Sequence, residues 1–163
     1  MFVLGIDPGL TRTGYGLIDS TADGPRLRAV GVIRTDTGDS TAYRLLELHR
    51  DLTEIIEEHR PDAMAIEQVF TNKNLRTSIA VGRASGVALL AAAAAGLPVH
   101  EYTPTQVKSA VAGFGQADKR QVQRMVAQRL GLVEAPKPAD AADALAVAIC
   151  HLQAFRLAAR MPG

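Results

Sequence analysis

Four carboxylates stand at the borders of apolar segments. Asp7 follows Phe2-Val3-Leu4-Gly5-Ile6 and precedes Pro8-Gly9, so it is displayed where a strand turns over. Glu67 comes directly after Ala63-Met64-Ala65-Ile66, and Asp140 and Asp143 open the apolar stretch from Ala141 to Ile149. Any one of these has an ordinary reading as a turn or cap residue, because Asp favours both positions. Taken together, each beside a hydrophobic segment, they point to an acidic metal site, since carboxylate oxygens suit hard cations such as Mg²⁺.

Asp140 and Asp143 are three apart, which puts them on one face of the first turn of a helix. The positive end of that helix offsets part of their mutual repulsion before a cation arrives. An N-cap role for Asp140 and a favourable N3 position for Asp143 fit the same spacing, and both roles remain open at this stage.

The elements that must carry these groups can be read along the chain. Residues 2–6, 14–18 and 27–35 read as three strands, separated by Asp7-Pro8-Gly9 and the turn-rich segment Ser20 to Pro25. Connections so short favour an antiparallel meander. Leu45, Leu48, Leu52, Ile55 and Ile56 recur at helical spacing, and Arg60-Pro61 stops that helix before a strand at 63–66. A helix over 75–95, a strand over 99–102 and helices over 104–112, 119–130 and 139–155 follow. The order β-β-β-α-β-α-β-α-α-α implies an α/β fold with a mixed sheet and flanking helices.

The 163 residues suffice for one domain with a full core, and 47% hydrophobic against 21% charged residues is ordinary globular composition. The single cysteine, Cys150, excludes an internal disulfide and reads as a packed thiol. The longest apolar run, Val87 to Leu97, is too short to span a bilayer, and Asp7-Pro8 interrupts the opening run where a secretory signal would continue; a cytosolic protein is expected. The four histidines have no zinc-like spacing with cysteine.

The formal charge of +1 conceals an asymmetry. Between Thr71 and Arg129 eight basic residues face two acidic ones, a net +6, while the rest of the chain has ten against fifteen, a net −5. Cations to hold phosphates beside carboxylates to hold metal are what an enzyme acting on a polyanion requires. Phosphodiester hydrolysis is slow because hydroxide must attack an anion and expel an alkoxide. Two metals about 4 Å apart can stabilise both the attacking and the leaving oxygen.

These residues carry a resemblance to the RuvC family of Holliday-junction resolvases, in the ribonuclease-H-like superfamily. Gly5-Ile6-Asp7-Pro8-Gly9 with Thr13-Gly14-Tyr15-Gly16 resembles the family's opening hairpin, and Ala65-Ile66-Glu67-Gln68-Val69-Phe70 with Lys73-Asn74 its second catalytic segment. Gly86-Val87-Ala88, Glu101-Tyr102, Gln106-Val107-Lys108 and Lys119 with Gln121-Val122-Gln123 are similar to its middle section. Asp140-Ala141-Ala142-Asp143-Ala144-Leu145-Ala146 closes the match, which spans about residue 3 to about residue 152.

The resemblance implies a ribonuclease-H-like fold with a five-stranded mixed sheet, a single nuclease domain over 1–155 and a short tail over 156–163. It implies that Asp7, Glu67, Asp140 and Asp143 hold Mg²⁺, with Mn²⁺ as a substitute and two ions per site, Asp7 bridging them. Lys119 resembles a basic residue near the scissile phosphate. Phe70, in the polar context Thr71-Asn72-Lys73-Asn74, is badly placed for a core residue and is expected to stack on a base opened at the junction centre, a lid over the core being the other reading. Lys73, Arg76, Lys108 and Arg120 are the further expected DNA contacts. The family also implies a homodimer cutting two symmetric strands of a four-way junction and a branch-migration motor as partner. Gly82 and Gly86, four apart, form a smooth strip suited to a second backbone. Two other classes stay in view: an actin- or sugar-kinase-like ATPase, because Asp7-Pro8-Gly9-Leu10-Thr11 with Gly14 also resembles a phosphate loop, and a non-catalytic junction-binding protein.

Overall fold

The computed structural model describes residues 1–70 and 74–160. Along them run β1 (Phe2–Asp7), β2 (Arg12–Thr21), β3 (Gly24–Arg34), α1 (Thr41–His59), β4 (Ala63–Glu67), α2 (Leu75–Ala94), β5 (Val99–Tyr102), α3 (Pro104–Ala112), α4 (Lys119–Leu130) and α5 (Ala139–Ala158). The sheet order is β3-β2-β1-β4-β5. Strands β1 to β3 form the expected antiparallel meander, and β4 and β5 add in parallel beside β1. A central strand covered on both faces must be apolar throughout, and Val3, Leu4 and Ile6 of β1 are all 0% exposed.

Helices cover the sheet on both sides. Leu4, Ile6, Leu17, Met64 and Ile66 pack on α1 and α2 through Leu48, Leu52, Ile56, Ala84 and Ala88. Val3, Ile18 and Ala65 pack on the opposite layer, with α3, α4 and α5, through Val107, Val111, Val126 and Leu145. Ser40 caps α1, and Arg60 ends it in the left-handed region just before Pro61. Reciprocal capping boxes start α3 (Thr103 with Gln106) and α4 (Asp118 with Gln121).

Several expected boundaries shift. β2 and β3 run on to Thr21 and from Gly24, because the polar residues of the hairpin tip pair across it and Gly24, at φ 118, accepts the tight turn. α5 continues past residue 155 to Ala158, and Arg156 donates to the Ser20 hydroxyl at 2.8 Å. The bilayer argument from a short apolar run also needs correction. Taken whole, α2 and α5 are both long and apolar enough to cross a membrane. α5 is instead the core helix: Ala141, Ala142 and every residue from Ala144 to Leu152 are buried.

Candidate active site

Alternation along a strand decides where Asp7 and Glu67 point. Val3 faces the α5 layer, so Gly5 and Asp7, at even steps beyond it, face that way too. Ala65 and Glu67 repeat the arrangement on β4. The parallel register Ile6↔Ile66 then leaves the two carboxylates at the C-terminal ends of adjacent strands, roughly 5 Å apart in backbone spacing.

Glycines let α5 bring the other two acids down to them. Asp7 pairs with Gly14 across the hairpin, and a Cβ built on Gly14 would collide with the carbonyl oxygen of Asp140. Gly5 likewise accommodates the carbonyl oxygen of Ala144. With any side chain at these positions the helix would be lifted off the sheet, and Asp140 and Asp143 with it. The loop after Asp7 is held by hydroxyls: Thr13, 1% exposed, donates to the Gly9 carbonyl at 2.6 Å, and Thr35 donates to that of Leu10 at 2.6 Å.

The capping reading of α5 does not survive. Its N-cap is Pro138, with no side-chain cap bond, and Asp140 lies inside the first turn. The acids have other partners. Lys119 Nζ lies 2.9 Å from Asp143, and Arg12 Nε lies 3.7 Å from Asp140. Arg12, at the start of β2, was not among the residues expected from the sequence; it meets Asp140 only once α5 packs on the hairpin.

The cluster carries more negative charge than these cations balance. Burial first, then the charges of Asp143, Glu67 and Asp140, push the Asp7 carboxyl up to about 8 from its ordinary 3.8, although Lys119 pulls the other way. Glu67 is raised by burial and by Asp143, against Lys108 and Lys119. Burial also raises Asp143, while its hydrogen bond to Lys119 opposes that rise; the same bond raises Lys119. Among the described residues no three His, Cys, Asp or Glu side chains stand close enough to hold one ion as placed, with Lys119 clasping Asp143. The donor set nonetheless fits a hard divalent cation: it is all oxygen, in a cluster where burial and mutual repulsion raise the Asp7 carboxyl and a cation would offset both.

A recess of about 320 Å³ opens beside the carboxylates, lined by Glu67, Asp143, Lys108 and Lys119. The structure thus gathers Asp7, Glu67, Asp140, Asp143, Lys119 and Lys108. Phe70 is three residues past Glu67 and 54% exposed, which excludes a core role. Arg76 and Arg120 lie elsewhere, on a cleft beside α2 and on a groove along α4. Lys73 lies outside the described residues. Of the histidines, His151 is buried against His100 and bonds the Tyr102 hydroxyl at 2.7 Å, while Cys150, 3% exposed, is pushed up to about 11 by burial.

Comparison with known proteins agrees with this geometry. Residues 3–151 match the family model for crossover junction endodeoxyribonuclease RuvC. The RuvC of Salinispora arenicola is 56% identical over 153 residues, covering 93% of this chain and 87% of that protein. The RuvC of Moorella thermoacetica is 54% identical over 151 residues, covering 93% and 90%. Thermus thermophilus RuvC superimposes with a TM-score of 0.91 at 39% identity, covering 97% of each chain. The same protein in complex with its Holliday junction substrate gives 0.91 at 40%, covering 97% and 96%. The yeast mitochondrial resolvase Ydc2, at 15% identity and a TM-score of 0.70, shares the fold. With carboxylates from two adjacent strand ends and a helix start meeting on a ribonuclease-H-like sheet, and with this similarity over nearly its whole length, the chain belongs to the RuvC family of crossover junction endodeoxyribonucleases.

Proposed function

We propose that this protein resolves four-way (Holliday) DNA junctions by metal-dependent hydrolysis of two symmetric phosphodiester bonds. One observation carries the reading: four carboxylates converge in a half-buried site where Asp7 is pushed up to about 8. A merely structural junction binder would gain stability by losing such a set, and similarity to RuvC proteins over nearly the whole chain favours the nuclease over an ATP-binding reading. Asp7, Glu67, Asp140 and Asp143 would hold the metal, and Asp7, between Glu67 on the adjacent strand and α5, would be the ligand common to two ions. Bound there, Mg²⁺, or Mn²⁺ in its place, supplies Lewis-acid stabilisation of the charge that builds on the phosphoryl group.

The protein's own groups do the rest. Lys119 contributes a cation at the edge of the cluster, where charge develops on the phosphate. Lys108, in the recess beside Glu67, holds the backbone phosphate, and Arg120 on α4 extends that contact. Phe70, exposed three residues past Glu67, stacks on an unpaired base at the exchange point. A second copy supplies the second cut. On α2 the strip of Gly82 and Gly86, where added Cβ atoms would meet nothing within 4 Å, is not used within the chain, and with Leu90 one turn on (59% exposed) it suits the two-fold packing of α2 on α2. The family resemblance adds a branch-migration motor as partner, acting in the cytosol.

The test is nicking of a synthetic junction with labelled strands. Symmetric cuts in Mg²⁺, abolished by EDTA, with linear duplex spared, are the expected result. Binding without cutting in any divalent metal, or ATP binding with no junction binding, would overturn the reading.

A further inference from the structure

A second convergence of like charges lies outside the carboxylate site. Arg44 on α1 and Arg76 and Arg83 on α2 line a cleft of about 590 Å³ with an apolar floor of Leu10, Leu75 and Ile79. Among the described residues none of the three guanidiniums is in an ion pair with a carboxylate. Three unneutralised cations facing one space repel one another, so the cleft favours an anionic occupant. Arg76 and Arg83 are seven apart on α2, about 10 Å along its axis. Cations spread over that length suit a chain of phosphates better than one small anion.

Arg44 links this cleft to the chemistry. Its Nε donates to the Thr35 hydroxyl at 2.9 Å and its Nη2 to the Thr11 hydroxyl at 2.9 Å. Thr35 in turn donates to the Leu10 carbonyl, and the Thr35 amide donates to the Thr11 carbonyl at 3.2 Å. The loop that leaves Asp7 is therefore stapled to the wall of the cleft, and Leu10, three residues from Asp7, forms part of its floor. A guanidinium locked in this way is pre-organised for phosphate, because little rotamer freedom is left to lose.

We infer that this cleft grips the phosphodiester backbone of the junction strand beside the scissile one, with Arg44 and Arg83 as phosphate ligands alongside Arg76. The inference rests on the resolvase reading and deepens it. The cleft holds that strand in fixed register with Asp7 through the stapled loop.

Arg83 is the position to test, since among the described residues it makes no hydrogen bond to the loop that leaves Asp7, whereas Arg44 makes the bonds that staple it. Binding of a fluorescent four-way junction in EDTA is followed by anisotropy across roughly 50–200 mM KCl, where each phosphate contact contributes about 0.9 to the slope of log K against log salt. Arg83→Gln is expected to lower that slope by about one and weaken binding several-fold, while Arg83→Lys keeps the slope because the point charge remains. Arg60→Asn is the control: it removes the same charge at the other end of α1, about 24 Å from Arg44, at a left-handed position that Asn accepts. It should leave the slope unchanged. A wild type that binds and nicks the junction beside an Arg83→Gln variant of unaltered slope overturns the cleft alone. A wild type that binds no junction overturns both readings. A slope lowered equally by Arg60→Asn shows only long-range charge and refutes the cleft. So does loss of dimer in Arg83→Gln by sedimentation, because the cleft would then be filled by the second copy.

Discussion

Replacing Asp7 by Asn should do two opposite things: abolish cleavage and stabilise the metal-free protein. The carboxyl ionises at 3.8 when solvated and at about 8 in the fold. At pH near 7.5 the unfolded chain therefore releases a proton that the folded chain keeps. That difference opposes folding by up to about 5 kcal/mol at about 1.36 kcal/mol per pH unit. Asp7 is partly reached by solvent, so roughly half of that, about 2–3 kcal/mol, is the working figure.

The sign follows from the raised pKa: stability linked to Asp7 is fully present below 3.8 and is lost as pH rises toward about 8. Asn has no proton to lose and escapes the loss. For a chain of this size each kcal/mol moves Tm by about 2–4 °C, so Asp7→Asn should melt roughly 5–10 °C above wild type in EDTA near pH 7.5. The two curves should converge near pH 4. Scanning calorimetry across pH reads the effect, and junction nicking in Mg²⁺ reads the activity. An Asn variant no more stable than wild type at neutral pH would refute the electrostatic strain. Retention of more than about a tenth of the wild-type rate would refute the role of Asp7 as a ligand, whose loss should remove several kcal/mol of transition-state stabilisation.

Titrating wild type with Mg²⁺ near pH 7 should release protons, because the cation must displace the one on Asp7, and affinity should climb with pH toward about 8; calorimetry in buffers of different ionisation enthalpy measures it, and zero proton release would count against a ligand role. Gly14→Ala should cost several kcal/mol in chemical denaturation, since its methyl collides with the Asp140 backbone, and a loss below about 0.5 kcal/mol would show that α5 can lift without consequence. Ca²⁺ should support junction binding with little cutting, because it tolerates irregular coordination and does not hold the reacting groups in line; equal turnover in Ca²⁺ and Mg²⁺ would contradict a geometrically demanding site. A heterodimer of wild type with Asp7→Asn should nick a plasmid-borne cruciform but rarely linearise it in one binding event, whereas wild type linearises it; equal linear product would point to one protomer cutting twice.

Much of the site was legible because its information is local. Asp7 and Glu67 follow apolar runs whose parity points every second residue the same way, so a strand end and its carboxylate can be read within seven residues. The order of strands and helices, and the pairing of Asp140 with Asp143 on one helical turn, follow from the same short-range periodicity.

Other features depend on contacts between distant segments, and no local pattern encodes them. Whether Asp140 capped its helix or faced the acids was undecidable from its neighbours; the hairpin register answered it by setting Gly14 beside Asp7, where only a missing Cβ lets α5 settle. The packing of α5 on β2 brought Arg12 to Asp140, and α4 brought Lys119 to Asp143 from a position twenty-four residues earlier. The outward turn of the Gly82 and Gly86 strip, and the meeting of Arg44 with Arg76 and Arg83, likewise arise from the packing of α1 against α2. Backbone stereochemistry and side-chain parity act over a few residues and are written in the chain, whereas the charge on Asp7 is governed by burial and by acids sixty and more than a hundred and thirty residues away, which meet only when the sheet and α5 close on each other.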